Sequence, residues 1–114
     1  RGGGGGRREF VAGTVAVDGG GQPFGPGDAG AQAGRCLEVS AQALEKAGCQ
    51  SSDVVGTRRF VIDMSLETQR AVGQAHRKVF ADFPPACSMI GVAALAGPDF
   101  IIEIEADAVI PPGA

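Results

Sequence analysis

The chain has few aromatic residues and few reactive side chains. Its 114 residues include no Trp, no Tyr, six Phe, one His and three Cys. The cysteines Cys36, Cys49 and Cys87 show no CxxC spacing, and one His does not complete a zinc-binding set, so no metal site is predicted. Thiols that stay reduced favour a cytoplasmic protein.

A basic surplus and a long apolar run are also absent. The net charge of −3 argues against a nucleic-acid partner. No run reaches the roughly 18 apolar residues of a membrane span, so no membrane association is predicted. The apolar fraction of 44% supports one folded domain, but its core would consist mainly of small aliphatic residues, and 19 glycines weaken it. We therefore expect an oligomer.

The composition divides the chain into three parts. Residues 1–8, "RGGGGGRR", are low in complexity and predict a disordered glycine-rich leader. Residues 9–110 carry the apolar periodicity of a single domain, and residues 111–114 form a short tail.

The pattern within 9–110 predicts four strands and two helices. Asp28 and Ser65 are suitable N-caps, and the Pro84-Pro85 pair stops the second helix. The short "AGPD" loop predicts a hairpin between the last two strands. The predicted elements, in chain order, are a strand over Glu9–Val17, a helix from Asp28 to Gly48, a strand over Val54–Asp63, a helix over Leu66–Phe80, and strands over Ala86–Leu95 and Phe100–Ile110.

The order β-α-β-α-β-β predicts an α+β fold, a sheet with both helices on one face. A sheet covered on one side only exposes its other face, and a second subunit could cover it.

The last strand, "IIEIEADAVI", carries a row of carboxylates. Glu103, Glu105 and Asp107 lie at i, i+2 and i+4, so they share a face at a spacing of about 7 Å. Two interpretations stay open. The row is ordinary solvated surface, or it lines a cleft where burial raises a pKa and one carboxyl acts as a general acid or base.

The lone His and the cysteines favour packing roles. His76 falls on or beside the apolar stripe of the second helix, which is typical of a packed histidine rather than a catalyst. Cys87 shares a strand face with Met89 and Gly91, and apolar surroundings would raise the pKa of its thiol. Cys36 and Cys49 are predicted to be small buried residues.

The order of several segments resembles the Rid family (YjgF-type reactive intermediate deaminases). These segments are "FVAGTVAVD", "GDAGAQAGRCLEVSAQALEKAG", "DVVGTRRFVIDM", "PPACSMIGVAAL" and "IIEIEADAVI", which together run from Glu9 to Ile110. The resemblance implies a chorismate-mutase-like fold and a homotrimer with a small-molecule ligand in each inter-subunit cleft. It also implies hydrolysis of enamines and imines, such as 2-aminoacrylate, without metal or organic cofactor.

The family's site residues match this chain only in part. The resemblance implies that Glu103 activates water and that Gly13 contacts substrate. The family's serine before that glycine is Ala12 here, and an asparagine of the second helix aligns approximately with Gly73.

The largest departure follows the Pro-Ala pair. In those deaminases an arginine at this point clamps the substrate carboxylate, and Cys87 stands there in this chain. Cys87 and Glu105 are the remaining substrate-binding candidates, beside Gly13, Ala12 and Gly73. The segments "PACSM" and "IEIEADA" resemble those of a Rid branch that lacks the arginine.

Three functions follow as alternatives. The first is a Rid-type hydrolase of altered specificity, in which Glu103 is catalytic. The second is a non-catalytic trimer that binds or senses a small molecule, and the third is a structural or chaperone-like interaction protein.

Overall fold

A computed structural model of the chain describes residues 7–110, without the side chains of Arg7 and Ala12. A one-turn 3₁₀ helix, Ser51–Asp53, precedes β2. The sheet has the order β1-β4-β2-β3, and both helices pack on one of its faces, which confirms the α+β prediction. The strands and helices are β1 (Arg7–Val15), α1 (Ala29–Lys46), β2 (Val54–Val61), α2 (Leu66–Phe80), β3 (Ala86–Gly91) and β4 (Ile102–Ile110).

Both helices begin at the predicted caps. The Asp28 carboxylate accepts a hydrogen bond from the Ala31 amide at 2.9 Å, and the Ser65 hydroxyl accepts one from the Thr68 amide at 3.2 Å. These bonds satisfy amides that have no partner inside the helix. At the other end of α1, Gly48 adopts φ +84°, a left-handed conformation that favours glycine and ends the helix.

The central strand β4 separates the two faces of the sheet. Its even-numbered residues are buried under the helices, and its odd-numbered residues turn to the opposite face, which we call the open face. The strict alternation follows from the pleat. The buried residues are Ile102, Ile104, Ala106, Ala108 and Ile110.

The predicted hairpin between the last two strands is wrong. β3 pairs with β2 in parallel, and β4 pairs with β1 and β2 in antiparallel, so β2 lies between β3 and β4. The crossover through α2 returns β3 to the side of β2. β4 occupies the centre because its apolar residues are buried there, whereas the exposed β3 suits an edge.

Several predicted boundaries also move. Arg7 and Arg8 belong to β1, since they pair with Ile110 and Val109 of β4, so the predicted leader 1–8 is two residues too long. β1, β2 and β3 end before their predicted ends, and β4 begins at Ile102 rather than at Phe100. The remaining leader residues 1–6 and the tail 111–114 lie outside the described residues.

Candidate functional site

The carboxylate row on β4 is divided by one arginine. Arg58 of β2 donates hydrogen bonds to Glu105, its cross-strand partner, and to Asp107 at 3.0 Å. These bonds raise the pKa of the Arg58 guanidinium, the Glu105 bond having the larger effect. Glu105 and Asp107 are therefore held as an ion-pair network on the open face.

Glu103 is the carboxylate of this row that Arg58 does not neutralise. Within residues 7–110 its carboxylate has neither a hydrogen-bond partner nor an ion pair. The side chain is half-buried, and its cross-strand neighbours on the open face are Val15 and Phe60. An unpaired carboxylate between apolar neighbours can accept a proton from a bound molecule.

A bulge in β1 brings Gly13 against this carboxylate. Val11 pairs with Ala106 and Thr14 with Ile104, so β1 holds one residue more than β4 over this stretch. A Cβ at Gly13 would lie 2.7 Å from the carboxyl carbon of Glu103, closer than two such atoms approach. Only a glycine leaves room for the Glu103 carboxylate in this position.

A second candidate site lies on the helix-covered side of the sheet. A cavity of about 470 Å³ opens between the β2–β3 edge and the C-terminal half of α2. Cys87 lines it from β3, Gly73 lines it from α2, and Pro84 and Pro85 form part of its wall.

Two guanidinium groups reach the same cavity. The Arg59 Nη2 atom lies 3.5 Å from the Cys87 sulfur. The Arg77 Nη1 atom lies 3.5 Å from the position that a Cβ on Gly73 would take. Cys87 is exposed at this edge, so its predicted apolar surroundings are wrong.

His76 forms the floor of this cavity and is a packing residue. Its Nε2 atom lies 2.9 Å from the Thr57 hydroxyl, and its ring contacts that of Phe80 at a centroid distance of 4.7 Å. Burial, and then the positive charge of Arg59, lower the pKa of His76 to about 4. His76 is therefore neutral near pH 7, and the interpretation of a packed histidine agrees with its burial.

Cys36 and Cys49 are buried, as predicted. The Cys36 thiol donates to the Thr14 carbonyl at 3.1 Å. Burial, and then the charge of Glu103, raise the pKa of the Cys36 thiol to about 12, so it is not a nucleophile at neutral pH.

The six predicted site residues occupy two separate places. Gly13 and Glu103 meet on the open face, where Glu105 is bound to Arg58. Gly73 and Cys87 meet in the cavity on the other side of the sheet. A single chain thus does not bring Cys87 and Glu103 together. Ala12 lies in the β1 bulge, and its side chain lies outside the described residues.

The sequence interpretation missed three arginines, Arg58, Arg59 and Arg77. A signal for two of them was present, because successive residues of a strand point to opposite faces. The Arg58-Arg59 pair in β2 therefore places one guanidinium on the open face and the other under the helices. A signal for Arg77 was present as well, because it follows Gly73 by four residues in α2, and residues four apart lie side by side on a helix.

Two further properties concern the described part of the chain. Residues 7–110 contain no cluster of three or more side chains suited to hold a metal ion. Among the helices of this part, none has both the length and the apolarity needed to cross a bilayer.

Fold and site together define a small α+β protein whose mixed sheet carries two helices on one face and, on the other, the Glu103 carboxylate, which has no partner within residues 7–110. The family model described as Endoribonuclease L-PSP matches residues 5–110. The chain belongs to this family, which includes the Rid and YjgF proteins, and the resemblance seen in the sequence is confirmed.

Solved structures of this family are similar over most of the chain. A Rid-family protein of unknown function, YyfB from Yersinia pestis, is 36% identical with a TM-score of 0.85, and the match covers 93% of this chain and 80% of that chain. A YjgF/YER057c/UK114 family member from Mycobacterium tuberculosis is 36% identical with a TM-score of 0.79, covering 92% and 80%. The YjgF gene product of E. coli is 33% identical with a TM-score of 0.79, covering 91% and 81%.

Proposed function

We propose that this protein is a Rid-type hydrolase that converts small imines or enamines, of the 2-aminoacrylate type, to keto acids and ammonia. The observation that carries the proposal is the state of Glu103. Of the three carboxylates on the open face of β4, Arg58 binds two, and the third, Glu103, lies over Gly13 with no partner among the described residues. A general base needs a carboxylate that no cation neutralises and a space beside it for water.

The chemistry requires one carboxylate and one water molecule. The iminium forms first, when a solvent proton bonds to the terminal carbon of an enamine, using the C=C π pair, or to the nitrogen of an imine. The water oxygen then bonds to the iminium carbon while Glu103 takes a water proton, and the C=N π pair moves onto nitrogen. Glu103 then returns this proton to the nitrogen of the carbinolamine. The carbinolamine C–N bond breaks as an oxygen lone pair forms the C=O bond, and the departing ammonia takes the hydroxyl proton as ammonium.

The proposal includes a trimer, because the two candidate sites lie on opposite sides of one sheet. In this assembly the open face of one subunit packs beside the cavity edge of the next. Glu103 of one subunit then faces a cavity lined by Cys87 and Gly73 of another. The exposed Phe10, on the open face opposite Asp107, supports a subunit contact on this side of the sheet.

The test uses 2-iminopropionate, generated in situ by oxidising alanine with an amino-acid oxidase. Keto-acid release is compared with uncatalysed hydrolysis in the same mixture. The native protein is expected to accelerate release, and Glu103→Gln is expected to lose at least about 100-fold, the lower range for a general base. Gly13→Ala is also expected to lose activity, since its methyl group displaces the Glu103 carboxylate.

The matched control is Asp107→Asn, which makes the same carboxylate-to-amide change on the same strand and face. Its activity should stay near that of the native protein, because Arg58 binds Asp107 and leaves it no role as a base. Equal activity in the native protein and Glu103→Gln would exclude Glu103 as the base.

A second candidate function is a trimer that binds a small molecule without converting it. The residues that favour it are Ala12 and Cys87, which stand where the deaminases it resembles have a serine and an arginine. An inactive native protein together with an active Cys87→Arg variant would support this alternative.

RNA cleavage, which the description of the family model names, receives less support. The chain has a net charge of −3. Its one histidine is buried and neutral near pH 7, because its pKa is lowered to about 4.

A further inference from the structure

The cavity beside Cys87 contains positive charge that no acidic residue of the described range 7–110 balances. Arg59 and Arg77 both line it, and within the described range 7–110 no Asp or Glu does. None of the ion pairs among those residues includes either arginine. Two unneutralised guanidiniums in one cavity contrast with the negative net charge of the chain.

Arg59 is the more confined of the two. It pairs in register with Ile104 of β4 and Met89 of β3, so it lies on the face that the helices cover. Its Nε atom is buried and has no hydrogen-bond partner in the described part of the chain. The nearest acceptor to Nη2 is the Cys87 sulfur at 3.5 Å, and sulfur is a weak acceptor.

The described neighbours of Arg59 hold its side chain in place, but they do not supply all the acceptors that its guanidinium needs. His76 is hydrogen-bonded to Thr57. Its imidazole is neutral, so it cannot balance the positive charge of the Arg59 guanidinium. A half-buried charge whose Nε atom has no partner among residues 7–110, and whose Nη2 atom has only a weak sulfur acceptor, raises the free energy of the unliganded protein. An anion that accepts hydrogen bonds from the terminal nitrogens would balance the charge and offset part of this cost.

Arg77 reaches the cavity from the opposite wall. Its guanidinium lies over Gly73 of α2, and this wall would be filled by a larger side chain. An anion between the two arginines would contact Arg59 from the sheet and Arg77 from the helix. A cavity of about 470 Å³ is suited to a small organic acid.

We propose that this cavity is a carboxylate-binding site in which Arg59 is the principal anchor and Arg77 the secondary one. This inference rests on the proposed function, in that the carboxylate would be that of the imino-acid substrate or the keto-acid product. Arg59 would then supply, from β2, the guanidinium that Cys87 does not provide from β3.

Binding can be measured without any catalysis. Pyruvate is titrated into the native protein and followed by calorimetry, and methyl pyruvate, which lacks the negative charge, is titrated in parallel. The native protein is expected to bind pyruvate at least about tenfold more tightly than the ester, the difference that one charge-assisted hydrogen bond makes. Inorganic phosphate serves as a third ligand, and it should bind more weakly than pyruvate.

Variants separate the two arginines from general charge effects. Arg59→Gln is expected to weaken pyruvate binding by at least about tenfold, and Arg77→Gln by a smaller factor. Arg59→Lys should restore part of the affinity, since it keeps the charge and loses the planar fork. The matched control is Arg70→Gln. Arg70 is an exposed residue of α2, the helix that carries Arg77, and it does not line the cavity.

The possible outcomes distinguish this inference from the proposed hydrolase. Pyruvate binding that needs Arg59, in a protein without hydrolase activity, would support the site and contradict the function. Native-like pyruvate affinity in both Arg59→Gln and Arg77→Gln would overturn the site, as would equal affinity for pyruvate and methyl pyruvate. Tighter binding of phosphate than of pyruvate would overturn the choice of a carboxylate ligand.

Discussion

The charge state of His76 links one buried side chain to the stability of the fold. In the unfolded chain a histidine has its ordinary pKa of 6.5, whereas in the folded protein the pKa of His76 is lowered to about 4. Below pH 6.5 the unfolded state therefore binds a proton that the folded state excludes. The stability from neutral His76 is complete above about pH 6.5 and is lost as the pH falls toward 4.

We expect His76 to contribute a loss of up to about 3 kcal/mol in unfolding free energy across this window. Urea unfolding at fixed protein concentration, between pH 7.5 and 4.5, measures it. His76→Gln keeps a neutral partner for Thr57 and removes the titration, so its stability should depend less on pH over this range. The carboxylates titrate in both proteins, so they affect both curves of unfolding free energy against pH alike. Parallel curves would therefore contradict the expected role of His76.

At the residue scale, the candidate site could be predicted where a residue's environment follows from its own strand. The alternation in β4 placed Glu103, Glu105 and Asp107 on one face, and the structure has them there. The neutralisation of two of them by Arg58 depends on the register between β2 and β4, which no local pattern contains. For the same reason, the contact between Arg59 and Cys87 could not be predicted.

At the scale of elements, Gln32 joins α1 to the loop before β4. Its side chain is fully buried. It donates to the Asp99 carbonyl at 2.7 Å and accepts from the Ile101 amide at 2.9 Å. The Gln32 side chain thus bonds the Asp99 carbonyl and the Ile101 amide, and it positions the entry to the strand that carries Glu103.

Gln32→Leu is expected to destabilise the protein by about 1–3 kcal/mol, because two part-buried backbone groups lose their partners. Denaturant unfolding measures the loss, and hydrogen exchange should show faster exchange at the Ile101 amide. Gln42→Leu, at an exposed position of the same helix, should change stability by no more than about 0.5 kcal/mol. A similar loss in both variants would show that the Gln32 hydrogen bonds are not the cause.

The elements themselves differ in how far sequence predicts them. Helix starts were correct because their determinants are local, a cap three residues before the amide it binds. The strand neighbours were predicted wrongly, because the strand order depends on which strand buries most apolar surface when it lies at the centre of the sheet. The continuous burial of alternate β4 residues decides this, and it is a property of the assembled sheet.

At the scale of the whole molecule, the open face is the part that a single chain leaves exposed. Phe10 is 69% exposed there, beside carboxylates that Arg58 holds in place. Helices cover the opposite face. The trimer proposed above covers Phe10 and brings Glu103 to the cavity of a neighbouring subunit, so assembly and activity should be lost together.

Phe10→Asp tests this coupling. In the trimer the new carboxylate would be buried next to Asp107, its cross-strand partner, at a cost of several kcal/mol. Light scattering should give about three times the 11.5 kDa chain mass for the native protein and a smaller mass for the variant.

Leu66→Asp is the control for Phe10→Asp. Leu66 is 66% exposed, nearly as much as Phe10, but it lies at the start of α2 in the helix layer. An acid in the first turn of a helix is favourable, so the variant should fold, stay trimeric and keep the native activity. A native protein that is a monomer would remove the inter-subunit cleft and with it the proposed hydrolase site. A Phe10→Asp variant that stays trimeric would instead exclude the open face at Phe10 from the subunit contact.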